Sequence, residues 1–241
     1  MENSSQEIDC RSPLGILRYL TKLPFRFDII SLACIDPHTN LIYVSGGYDK
    51  VKGELSNVIT VYDEDMNAFV LPHPLTIARD GHSSIFFNDR LVICGGYTNV
   101  DQSNVVQFYD PRTNTTGFLP PTVKARYSFS LIIHDNRLYA VGGDDAETIE
   151  MLDEEEGRWR IVASIKSKRA HASVCYFNSR IYFFGGSSAY FTEDTTWDYF
   201  DLNTRDWYSD KHIKGRELPI SDYSNGFAAV LEPYDLVGRV F

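Results

Sequence analysis

Eight of the 16 glycines in this 241-residue chain stand in four adjacent pairs, Gly46-Gly47, Gly95-Gly96, Gly142-Gly143 and Gly185-Gly186, spaced 49, 47 and 43 residues apart. A recurrence at that period means that one supersecondary unit is used repeatedly, which limits the fold more than any bulk property does. Each pair ends a short β-branched and aromatic run: Leu41-Ile42-Tyr43-Val44, Leu91-Val92-Ile93-Cys94, Leu138-Tyr139-Ala140-Val141 and Ile181-Tyr182-Phe183-Phe184. Runs this short, stopped by glycine, read as buried strands, because helices of that length would be marginal in water. Three of them follow a polar tripeptide, Asn88-Asp89-Arg90, Asp135-Asn136-Arg137 or Asn178-Ser179-Arg180, with another apolar stretch upstream. Each unit therefore opens with a hairpin.

The second half of the unit repeats as well. Alternating segments run from Val58 to Asp63, Val105 to Asp110, Thr148 to Asp153 and Trp197 to Asp201, each closing on an aspartate that starts a turn. Six residues beyond that aspartate fall Phe69, Thr116, Trp159 and Trp207, each opening a fourth strand. A lone four-stranded sheet cannot cover both of its faces, so such units must stack. They fall at about 24–73, 74–121, 122–165 and 166–215, with a fifth unit assembled from 216–241 and 1–23. In that fifth unit, Ser224 to Leu231 and Leu236 to Phe241 read as first and second strands. Ile8-Asp9-Cys10 and Leu17-Arg18-Tyr19-Leu20 read as the third and fourth.

A glycine pair after an apolar strand, then Tyr-Asp and a spaced tryptophan, resembles the kelch repeat, and most of the chain takes part in the likeness. The resemblance implies an all-β fold: a kelch-type β-propeller with one blade per repeat, spanning 1–241 as a single domain. Dividing 241 residues by five gives about 48 per blade, in line with the doublet spacing, so five four-stranded blades are expected. One of the five would be closed by strands from both termini. The alternative is an incomplete six-bladed propeller, since Val240-Phe241 stands where a fifth doublet would fall.

Composition narrows the function. Thirty-three acidic residues against 23 basic ones, a net charge of −10, argue against nucleic-acid binding, which needs clustered Lys and Arg. The apolar runs are far short of the roughly 20 residues of a membrane-spanning helix, so no membrane partner is expected. The polar, acidic start is unlike a secretory leader, and Cys10, Cys34, Cys94 and Cys175 lie far apart, which suits a reducing, cytoplasmic setting. The six histidines stand singly, so no metal and no cofactor are expected. There is no Gly-x-Ser-x-Gly elbow, and no Glu-x3-Asp-x3-His run like that of the iron-dependent specifier proteins that resemble this fold. The acidic stretch Asp144 to Glu156, with eight carboxylates, reads as a solvated loop and hairpin, or as a patch for a basic partner. The expectation is a non-enzymatic module. Its rivals are a propeller enzyme acting on a sugar or small metabolite, and a truncated remnant without activity.

Arg26, Arg79, Arg126 and Arg169 each precede a unit's first strand, at spacings of 53, 47 and 43 residues. That puts them on the face formed by the fourth-to-first and second-to-third strand loops, beside Tyr48, Tyr97 and Tyr190. Variable loops on a rigid scaffold, rich in Tyr and Arg, are where recognition concentrates. In the ubiquitin-ligase adaptors that look like this, arginines at this slot bind acidic peptide motifs. The resemblance therefore implies a protein or acidic-peptide partner held by these residues. The alternative is that the arginines tie adjacent blades together through backbone carbonyls.

Overall fold

A computed structural model of the chain describes residues 32–49, 52–63, 68–70, 74–144, 146–165, 172–185 and 197–209. The described residues form strands and turns only. The strands are β1 (Leu32–Ile35), β2 (Ile42–Ser45), β3 (Tyr48–Asp49), β4 (Glu54–Leu55), β5 (Ile59–Asp63), β6 (Ala68–Val70), β7 (Ser83–Phe87), β8 (Arg90–Cys94) and β9 (Val106–Asp110). They continue with β10 (Thr115–Leu119), β11 (Ser130–His134), β12 (Arg137–Val141), β13 (Thr148–Asp153), β14 (Arg158–Ser164), β15 (Ser173–Phe177), β16 (Arg180–Phe184), β17 (Trp197–Asp201) and β18 (Trp207–Ser209).

Four antiparallel, four-stranded sheets result, in the orders β1-β2-β5-β6, β7-β8-β9-β10, β11-β12-β13-β14 and β15-β16-β17-β18. They are four blades of a kelch-type propeller. The residues assigned to a fifth blade lie outside the described residues. A small extra hairpin, β3 with β4, rises from the first blade between its second and third ladder strands.

The hairpin turns explain the polar tripeptides. Asn88-Asp89, Asp135-Asn136 and Asn178-Ser179 all have φ between 47° and 60°, the left-handed pair that a two-residue β-turn of the strands' own twist requires. In the first blade the turn is longer, and the Asp36 carboxylate accepts from His38 N at 2.9 Å and Thr39 Oγ1 at 2.7 Å. At the other turns the repeat aspartates cap in the same way. Asp110 accepts from Arg112 N, Asp153 from Glu156 N, and Asp201 from Asn203 N and Thr204 N.

The blades stack face to face, with β1, β7, β11 and β15 packed against one another in that order. Tyr43, Ile59 and Val61 meet Phe86, Leu91 and Ile93 between the first two blades. Val92, Cys94 and Val106 meet Leu131, Leu138 and Trp159 between the next two, and Val141 and Ile149 meet Ile181 and Phe183 between the last two. The repeat tryptophans sew the outer strands to the preceding blade: Trp159 Nε1 donates to Pro120 O at 2.8 Å and Trp207 Nε1 to Ser164 O at 3.1 Å. No helix among the described residues is long and apolar enough to cross a membrane.

Candidate functional site

Strand order places the loops that follow β2, β8 and β12 at the same end of the molecule as the loops that precede β7 and β11. The glycine pairs hold this end together. Gly46 N donates to Val58 O and Gly95 N to Val105 O within a blade, while Gly47 N donates to Arg79 O and Gly96 N to Arg126 O in the connection to the next blade. These contacts leave no room for a side chain: a Cβ on Gly96 would lie 2.5 Å from Asp80 O, and one on Gly46 would lie 2.5 Å from Arg79 O.

The arginines complete the clamp. Arg79 gives its backbone to the first blade and its guanidinium to the second, where Nη1 donates to Gly95 O at 2.7 Å and Nη2 to Gln107 Oε1 at 2.8 Å. Arg126 does the same one blade on: Nη1 donates to Gly142 O at 2.6 Å and Nη2 to Glu150 Oε1 at 2.6 Å. Glu150 also accepts from Val123 N at 2.7 Å and Lys124 N at 3.1 Å, so its charge is fully engaged. Both arginines are 0% exposed.

This corrects the expectation that Arg79 and Arg126 pair with a partner's carboxylates. Their positions in the repeat point them between the sheets, and their Nη1 and Nη2 donors go to carbonyls, to Gln107, to Thr148 and to Glu150. Glu150 likewise departs from the solvated reading of the Asp144 to Glu156 stretch. Arg26, Arg169, Tyr190 and Gly186 lie outside the described residues. The seven described doublet glycines, Gly46, Gly47, Gly95, Gly96, Gly142, Gly143 and Gly185, all have φ between 59° and 114°. Tyr48 is half-buried in the β3–β4 hairpin, and Tyr97 is 45% exposed.

What the loop face does present is a cluster of acid and aromatic side chains. Asp80 and Tyr97 form a two-way backbone bridge, with Asp80 N donating to Tyr97 O and Tyr97 N to Asp80 O. At the same slots one blade later, Tyr127 bridges Asp144. The acid and the aromatic have changed places, and both carboxylates act on Tyr127. The Tyr97 and Tyr127 rings meet edge to face, with centroids 6.2 Å apart at 83°. Burial, and then the negative charge of Asp80, push the Tyr127 phenol upward, with a smaller push from Asp144. Burial also raises the Asp80 carboxyl, whose Oδ1 is enclosed without a hydrogen-bond partner.

Sequence reasoning missed Asp80 and Tyr127. The signal was available in the residue after each slot arginine, Phe27, Asp80, Tyr127 and Ala170, read against the residue after each doublet, Tyr48, Tyr97, Asp144 and Ser187. The acid–aromatic exchange occurs only in the second and third units.

Around this cluster the described loop face carries Asp49, Glu54, Asp101 and Glu147 in addition, against two solvent-facing lysines, Lys52 and Lys124. Lys52 already sits 3.7 Å from Asp49 and 3.9 Å from Glu54. Nearby groups are poorly suited to chemistry. His82 bonds Ser45 Oγ at 2.9 Å, and burial followed by the Arg79 charge holds its imidazole down at about 3. The Cys94 thiol is pushed up to about 12 by burial, far from the range of a nucleophile. No group of three or more His, Cys, Asp or Glu among the described residues could hold a metal ion.

The kelch-motif family model matches residues 78–115 and 125–166. Kelch-like protein 25 of Xenopus tropicalis is 27% identical over 180 residues, covering 69% of this chain and 30% of its own length. Kelch-like protein 26 of Danio rerio is 26% identical over 182 residues, covering 71% and 30%. The kelch repeat and BTB domain-containing protein 2 of cowpox virus is 28% identical over 114 residues, covering 45% and 20%. The chain thus spans less than a third of the length of these relatives.

Proposed function

The chain belongs to the kelch-repeat family, and we propose that it is a non-catalytic module that grips one partner protein through the loop face described above. The likeness of its repeats to those of kelch-like proteins supports a protein-interaction propeller. The observation that supports this face is the exposure of Tyr97 and of Val100, at 45% and 92%, on a loop whose two ends are pinned by Gly95, Gly96 and Ser103. Exposed aromatic and aliphatic side chains on a rigid mount lose little entropy on binding, and such residues supply most of an interface's energy. The proposed setting is the cytoplasm, with the module acting as the recognition part of a ubiquitin-ligase system. What supports that setting is the likeness of the repeats to those adaptors.

Quantitative affinity capture with the full chain tests the reading. A Tyr97→Ala/Val100→Ser variant is expected to lose the partner. A variant altered on the opposite end, Asp89→Ala/Arg112→Ala, which breaks the 3.1 Å contact between those side chains, is expected to keep it. Equal recovery with both variants contradicts the assignment of the face, and absence of any cullin scaffold alongside the partner contradicts the ligase setting.

A further inference from the structure

We propose that residues 224–241 of this chain dock on the outward face of the fourth blade, with Ala229 and Gly238 set against its aromatic side chains. The inference is independent of the partner reading. In β16, Ile181 and Phe183 turn toward the third blade, so the pleat sends Tyr182 and Phe184 to the opposite side. In β17, Phe200 turns toward the third blade, and Trp197 and Tyr199 stand opposite. The ladder register sets Tyr182 across from Tyr199, Phe184 across from Trp197, and Tyr199 across from Tyr208. The rings lie nearly parallel. Tyr182 and Phe184 are 6.2 Å apart at 12°, Trp197 and Tyr199 6.3 Å at 19°, and Tyr199 and Tyr208 4.7 Å at 13°. None of the five belongs to the apolar clusters formed by the described residues. A sheet face this apolar has to be covered.

Position in the repeat identifies the cover. Tyr182, Phe184 and Trp197 occupy the slots of Val92, Cys94 and Val106 in the second blade and of Tyr139, Val141 and Ile149 in the third. In both of those blades these slots supply the contact with the blade that follows. The residues they meet stand four and two places before the next doublet: Leu138 and Ala140, then Ile181 and Phe183. With Val240-Phe241 at the fifth doublet position, the same count reaches Leu236 and Gly238, and the first-strand alignment puts Ala229 where the fourth blade has Val174. Packed interiors keep a constant density, so wide side chains on one sheet go with narrow ones on the sheet that faces it. The fourth blade is widest in these slots, and the segment that follows it is narrowest in the opposing ones. Length fits as well. Residues 210–241 follow directly on β18, and a described opening hairpin such as β15 with β16 takes only residues 173–184.

Hydroxyl-radical footprinting of the full chain, read by mass spectrometry over a wide range of protein concentration, tests the cover without any substitution. Tyr182, Phe184 and Trp197 are expected to be as protected as the buried Phe183, to the same degree at every concentration. Reactivity like that of Phe118, which is 56% exposed, means an open face and overturns the proposal. Protection that grows with concentration assigns the face to a second copy of the chain and overturns it too. A double-mutant cycle identifies the covering segment. Gly238→Leu is expected to lower Tm by about 4 °C through overpacking, and Trp197→Ala by about 8 °C through a cavity. Combined, they should cost less than the sum, because the leucine fills the space that the indole leaves. Additive losses overturn the placement of Gly238 against Trp197. Where a single variant does not fold, recovery of folding in the double variant supports the placement, and failure to recover overturns it. The loop-face reading is tested separately, by the capture experiment.

Discussion

Arg126 and Glu150 lie wholly inside the molecule, so each depends on the other to justify a buried charge. Removing one partner of such a pair costs roughly 3–5 kcal/mol, because the remaining ion keeps its desolvation penalty. Glu150→Ala is therefore expected to lower the unfolding free energy by about that amount in urea titrations, with Glu150→Gln losing less. Blade two offers the converse experiment. There Arg79 faces the amide of Gln107, whose Nε2 has no partner, and burial lowers the guanidinium to about 10. Gln107→Glu would supply the counter-ion that blade three already has, and is expected to raise Tm by about 2–4 °C, the equivalent of about 1 kcal/mol for a chain of this size. His82 makes a pH prediction. Its folded pKa, about 3, lies below the unfolded value near 6.5, so the unfolded chain binds the extra proton. Its contribution is complete above pH 6.5 and is lost as pH falls toward 3, by up to roughly 1.4 kcal/mol per pH unit. The carboxyls of Asp110 and Asp201 are held below their usual range, so most of their own loss comes at lower pH. A His82→Gln variant should show a flatter pH dependence of the urea midpoint between pH 6.5 and about 4.5. An unchanged slope would contradict the buried neutral imidazole.

At the level of elements, the second doublet glycine is where one blade's hairpin touches the next blade's entry loop. Gly96 has φ +91°, and an added Cβ would meet Asp80 O at 2.5 Å and His82 Cβ at 2.9 Å. Gly157 also has positive φ, +63°, yet an added Cβ there would meet nothing within 4 Å. Gly157→Ala should therefore cost only the left-handed penalty, about 1 kcal/mol. Gly96→Ala adds a clash with the segment that leads into its own blade, at Asp80 and His82, and should cost at least about 3 kcal/mol, or prevent folding. Comparable losses for the two would refute the close-approach argument. The same contrast shows why the blades could be read from sequence. Doublets, Asx turns and spaced tryptophans are responses to local backbone geometry, so each leaves its mark within one repeat. Which way an arginine points is decided by the facing sheet, 28 and 24 residues further on, at Gln107 and Glu150. That was not legible at Arg79 and Arg126 themselves. The Asp80–Tyr97 and Tyr127–Asp144 bridges join residues 17 positions apart, and only alignment of the slots reveals the exchange.

At the scale of the molecule, four stacked blades present two unlike ends. One carries tight two-residue turns with exposed ion pairs such as Arg112–Asp89, worth little individually and screened by salt. The other carries longer loops, pinned by glycines and clamped arginines, with Tyr97, Val100 and the acid–aromatic cluster on display. On the proposed reading, one end is scaffold and the other is the recognition surface. Hydrogen–deuterium exchange of the full chain, alone and saturated with its captured partner, tests it most directly. Protection is expected in segments 95–105, 120–129 and 142–148, with the turns at 88–89, 110–114 and 153–157 unchanged. Protection confined to those turns, or spread evenly over both ends, would contradict the account.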